Sequence, residues 1–342
     1  MIAQVLNRLR PGASLLSSEE QPGDGRHRRY RIAWRETDGT RREGLLERLR
    51  GQNRFDPALE WENIDRLKAQ LAAQGGERML FRPPEELRGR DENALWRLLL
   101  MPAEARVVLP GPRRLGEALG RWHAAMADLD LERIHSLFPR WRDGWRRYDA
   151  LLMDAQKNPA DRLDEVVPQL DWLMGKKAQC CLFSDRDGTP RFPVRAALGG
   201  AAIAALRFAE VQGGCDIAVN VSGVMPGCLL RDFADGVRQS AADAGRLDLE
   251  RFAACCEGFL MPTSRLLTEE ERAHLTDACL AVVLERTVWL LDDYLLGSPA
   301  HVKQSAQEQW SEILTGIDLI GDLEQKQPEM RRIVEEGLKR FG

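Results

Sequence analysis

The chain has 342 residues and a formal net charge of -4, with 30% charged and 44% apolar residues. That balance excludes a disordered chain and leaves room for one large domain or two lobes with a sizeable core. Arginines are dispersed among acids, so no nucleic-acid partner is expected, and no apolar run is long enough to cross a membrane. The opening MIAQVLNRLRPG has too short an apolar part for a signal peptide, and a cytoplasmic setting is expected. The seven cysteines show no CxxC spacing. The adjacent pairs Cys180-Cys181 and Cys255-Cys256 suit neither a zinc site nor a disulfide framework, and read as small buried hydrophobes in a reducing compartment.

In chain order, Gly23-Asp24-Gly25 and the basic run Arg26-His27-Arg28-Arg29 come first. A β-hairpin is predicted from about Tyr30 to Arg50, because YRIAWRE and REGLLERLR alternate around the turn Thr37-Asp38-Gly39-Thr40. The basic run reads as the solvated end of that hairpin. Pro57 fits the first turn of a helix capped by Asp56, with Leu59, Ile64, Leu67 and Leu71 on one face and Glu62 toward solvent. Leu95 to Met101 reads as a strand, Pro102-Ala103-Glu104 as a linker, and Leu115 to Leu129 as a helix carrying a lone histidine, His123. A further apolar-periodic stretch runs to Met174, with Pro168 expected to interrupt it. Ser184-Asp185-Arg186-Asp187-Gly188 has the composition of a turn rather than of a metal site. The C-terminal part is predicted helical over Asp248 to Leu260, from the capping signal Thr268-Glu269-Glu270-Glu271 onward, and over Ala306 to Ile320.

Between these lies the stretch around which the rest is arranged, Pro193 to Arg238: PVRAALGGAAIAALRF, then AVNVSGVMPGCLLRDFADGVR. Its second half resembles the metal-binding segment of the bacterial N-acetylhexosamine 1-kinase-like branch of the aminoglycoside phosphotransferase and choline kinase superfamily. There I-D-L-D-T-V-M-P-G is followed by Y-D-F-G-D-x-x-R. Here the frame reads Val219-Asn220-Val221-Ser222-Gly223-Val224-Met225-Pro226-Gly227, then Arg231-Asp232-Phe233-Ala234-Asp235-Gly236-Val237-Arg238. The resemblance extends from about residue 23 to 325. It includes Phe55-Asp56-Pro57 with Asn63-Ile64, then Gly116, Gly120 and Trp122 with Ala127-Asp128-Leu129. Farther on come Trp141-Arg142-Asp143-Gly144 with Arg147-Tyr148, and Glu285, Leu291, Asp293-Tyr294-Leu295 and Gly297.

The resemblance implies an α+β, two-lobed, protein-kinase-like fold of the aminoglycoside phosphotransferase kind. A small lobe of antiparallel sheet plus helix would span residues 1–101, and a larger, mostly helical lobe 102–342. It implies a nucleotide cleft near Gly23, Gly25, Glu47 and Met101, with the hinge after the Leu95–Met101 strand, and a ligand pocket near Arg142, Asp143, Asp232, Asp235 and Arg238. Asp232 is expected to tie the loop to neighbouring backbone.

The chemical positions depart from the family. Its catalytic loop, H-N-D-x-x-x-N-N, falls on Arg195-Ala196-Ala197-Leu198-Gly199-Gly200-Ala201-Ala202. In phosphoryl transfer the loop aspartate orients the acceptor hydroxyl and takes its proton, and the asparagine helps hold Mg²⁺. Ala197 and Ala202 stand there instead, Arg195 replaces the histidine, and Asn220 and Ser222 replace the metal-segment acids. Alanine offers no oxygen to a hard cation and no base to a proton. No catalytic residue, metal ligand or cofactor is therefore expected. The expected role is a pseudokinase: a binding or regulatory module linked to sugar or nucleotide-sugar metabolism, partnered by a protein or by a small sugar or nucleotide ligand. The alternative is an active small-molecule (sugar) phosphotransferase using ATP and Mg²⁺ through relocated acids such as Asp216, Asp232 and Asp235.

Overall fold

A computed structural model describes residues 1–21, 27–49, 57–73, 86–90, 95–100, 106–108, 111–136, 144–199, 207–211, 214–218, 224–297 and 305–342. The first helix, α1 (Ile2–Leu9), leads into strands β1 (Ser14–Gln21), β2 (His27–Arg35) and β3 (Arg41–Leu49). Helix α2 (Pro57–Ala73) follows, then β4 (Glu86–Arg90) and β5 (Leu95–Leu100). The five strands form one antiparallel sheet in the order β1-β2-β3-β5-β4. Strand alternation gives the sheet two unlike faces. Tyr30, Ile32, Trp34, Leu46, Trp96 and Leu98 form an apolar face that Val5 and Leu6 of α1 cover. The intervening residues, Arg29, Glu47 and Arg97 among them, point to the other face. The predicted hairpin is present as β2 and β3. Its turn closes with Glu36 N–H donating to the Thr40 carbonyl and Thr40 N–H to Asp38 Oδ1, each at 2.8 Å, and with Gly39 at φ +87°.

The larger lobe begins with β6 (Arg106–Val108) and α3 (Pro112–Ala125), then α4 (Gly144–Lys157), α5 (Leu163–Met174) and α6 (Lys177–Cys180). Strands β7 (Val194–Ala197), β8 (Arg207–Val211), β9 (Gly214–Ala218) and β10 (Met225–Cys228) carry the central stretch. β6, β8 and β9 form a three-stranded antiparallel sheet, while β7 pairs with β10, setting Ala197 opposite Met225 and Arg195 opposite Gly227. Helix α7 (Leu229–Ser240) follows β10 directly. A two-stranded ribbon, β11 (Ala242–Asp243) and β12 (Arg246–Leu247), leads to α8 (Leu249–Thr263), α9 (Glu269–Ala273), α10 (Leu275–Leu296) and α11 (Ala306–Phe341).

Two features hold the helices together. α3 and α8 cross backbone to backbone: a Cβ on Gly116 would lie 2.0 Å from the Cys255 carbonyl oxygen, and one on Gly258 2.1 Å from that of Arg113. α10 is apolar nearly all round, as a helix must be to serve as the centre of a lobe, and it packs against α4, α7 and α11. Among the described residues no helix is long and apolar enough to cross a membrane.

Three predicted helix boundaries need correction. α5 runs unbroken through Pro168: the proline sits in the middle of the helix and removes one backbone bond, while Val166 and Leu173 on either side are fully buried. α11 does not stop near Ile320 but continues to Phe341, past Pro328, because Leu323, Met330 and Val334 extend its buried stripe. The capping box at Thr268 and Glu271 is present, yet α9 ends at Ala273 and α10 starts afresh at Leu275.

Candidate functional site

The β7–β10 pair brings the two halves of the central stretch side by side, and each β7 residue has a structural task. Arg195 reaches α9, where its guanidinium forms a bidentate pair with Glu271 (Nη2 to Oε2 3.1 Å) and donates to the Leu266 carbonyl at 3.0 Å. Glu271 is fully buried and also accepts the Thr268 N–H in the capping box, so Arg195 works as a tie rod. The Ala196 carbonyl accepts the indole N–H of Trp122 at 2.8 Å. Ala197 is a fully buried methyl group.

Immediately beyond it, the Leu198 and Gly199 N–H groups donate to the two carboxylate oxygens of Asp232, at 2.6 and 2.8 Å. Gly199 adopts φ +80°, a conformation that suits glycine and lets both N–H groups converge on one carboxylate. Nε2 of His123, from α3, lies 3.2 Å from the same carboxylate, and both side chains are fully buried. His123 is thus a core residue that helps fix α7. Nothing in the sequence set it apart except a histidine on an otherwise apolar face.

α7 carries a second buried charge. Arg231 forms a bidentate pair with Glu285 of α10 (Nη2 to Oε1 2.9 Å), and its guanidinium lies 4.1 Å from the Phe183 ring centroid. Burial opposes the Arg231 charge, but Glu285 outweighs it and holds the guanidinium above its ordinary range. Gly144 makes room for the pair, since a Cβ there would lie 3.3 Å from Glu285 Oε1. One turn on, Asp235 and Arg238 pair at 3.1 Å.

In the smaller lobe, Glu47 is nearly inaccessible and its carboxylate is engaged within the sheet. It accepts from Arg97 Nε at 2.8 Å, from Arg97 Nη2, and from Arg29 Nε at 2.9 Å. Glu62 sits on the exposed side of α2, where it meets Arg66 and His135 Nε2. The stretch from Ser184 to Gly188 is the turn its composition indicated: Gly188 N–H donates to the Asp185 carbonyl and Thr189 N–H to Asp187 Oδ1, each at 2.9 Å. Cys180, Cys181, Cys255, Cys256 and Cys279 are buried. Burial pushes the thiols of Cys228 and Cys255 up to about 11 and about 12, so neither is a nucleophile near neutrality. Gly23, Gly25, Met101, Arg142, Asp143, Ala202, Asn220 and Ser222 lie outside the described residues. Among the described residues no group of three or more His, Cys, Asp or Glu side chains could hold a metal ion.

No family model matches the chain. Its fold does match solved structures along nearly its whole length. An aminoglycoside phosphotransferase from Alicyclobacillus acidocaldarius superposes with a TM-score of 0.57 at 14% identity, over 98% of this chain and 97% of that one. The ethanolamine kinase of Plasmodium vivax gives 0.55 at 11% identity, over 90% and 82%. A choline kinase from Cryptosporidium parvum gives 0.51 at 11% identity, over 98% of each chain. The fold is the two-lobed kinase-like α+β fold, with an antiparallel sheet lobe and a larger helical lobe. At these identities the likeness concerns the fold and not the chemistry.

Proposed function

We propose that this chain is a kinase-like scaffold that has given up phosphoryl transfer and serves as a binding or regulatory module in a cytoplasmic, sugar-linked setting. The observation that carries the reading is a contrast within three residues. Asp232 clasps the backbone of Leu198 and Gly199, as a loop anchor should, while the adjacent position in register with the base is the buried methyl of Ala197. Positioning and charge neutralisation supply nearly all of the catalysis in phosphoryl transfer, so a loop that keeps its anchor and loses its base retains architecture without rate. The N-acetylhexosamine branch enters the reading as the source of the VMPG and DF-x-D frame, and its sugars are the first ligands to try.

A thermal-shift titration with ATP, with and without Mg²⁺, and then with N-acetylhexosamines, tests the reading alongside an ADP-release assay. A ligand of the native state must raise the melting temperature by mass action. The expected result is no Mg²⁺-dependent ATP shift and no ADP release above background. A sugar shift alone would identify a small-molecule sensor, and silence toward both would direct the search to protein partners. An Mg²⁺-dependent shift with sugar-stimulated ADP release would overturn the proposal.

A further inference from the structure

We draw no further inference here: the strongest candidate, the side-chain cluster of Asp154, Asp292 and Asp293 beside Arg147 where α4 meets α10, is a group of acids that no second feature of the structure ties to a ligand.

Discussion

Helix α7 and the strand–loop segment it supports, β7 and the two residues after it, are neighbours with opposite chemistry. α7 buries Arg231 and Asp232 almost completely and satisfies each with partners from distant elements. The supported segment presents Ala196, Ala197 and Leu198, all buried and apolar. Ionic side chains cost several kcal/mol to bury unless paired and hydrogen-bonded, so the charges of α7 persist because they hold structure. Ala196, Ala197 and Leu198 carry no acid, and under the proposed function this is the segment where phosphoryl transfer would need one. Polar groups that build a loop and polar groups that react from it are therefore separable, and retaining the first says nothing in favour of the second.

The comparison is tested most severely at Arg231 and Glu285. Removing one partner strands a buried charge, so Arg231→Ala or Glu285→Ala should cost about 3–5 kcal/mol in urea denaturation. The double variant Arg231→Met with Glu285→Leu leaves no stranded charge and should recover most of that loss. Equal losses in single and double variants would mean that the pair itself, and not the stranded charge, carries the energy.

A smaller effect is expected at Asp232, and it bears directly on the loop. Asp232→Asn keeps the shape but offers one acceptor where two N–H groups now converge, leaving Leu198 or Gly199 unsatisfied at a cost of about 1–3 kcal/mol. Hydrogen exchange at those two amides should accelerate more than at α10, which would separate a local anchor from a global one. If the two amides keep their protection in the variant, the anchor lies elsewhere and the contrast with Ala197 loses its meaning.

What the sequence made legible, and what it hid, follows the same division. The anchoring task of Asp232 was readable because VMPG and DF-x-D-x-x-R keep their spacing, whereas the pairing of β7 with β10 was not expected from the sequence. The capping box at Thr268 was readable because it is local: Thr268 and Glu271 are three residues apart. The Arg231–Glu285 and His123–Asp232 pairs join residues 54 and 109 apart. No periodicity reports such a pairing; the replacement of the frame's tyrosine by Arg231, beside a retained Glu285, was the one available clue. Likewise, the spacing of Ile64, Leu67 and Leu71 announced an apolar face without saying which lobe would cover it. Helix ends were misjudged at Pro168 and Ile320 because tertiary burial outweighed local breakers there.

The smallest expected effect concerns a polar group that neither builds nor reacts. Asp292 of α10 faces Asp154 across the contact with α4, has Asp293 beside it, and is countered only in part by Arg147 of α4. Its Oδ1 is buried without a hydrogen-bond partner among the described residues. Burial first, then the two neighbouring acids, pushes its carboxyl up to about 7. A folded-state value above the unfolded one means that the folded chain holds the proton over a pH range where the unfolded chain has released it. Stability from this group is therefore full below the ordinary carboxylate range and drains away as pH rises toward about 7. Asp292→Asn cannot ionise, so its melting temperature should gain on the wild type steadily from pH 4.5 to about 7 and by a constant amount above. A parallel pair of melting curves across that range would show that Asp292 ionises as freely in the folded chain as in water. The α4–α10 contact would then have to be solvated, unlike the charge pairs of α7.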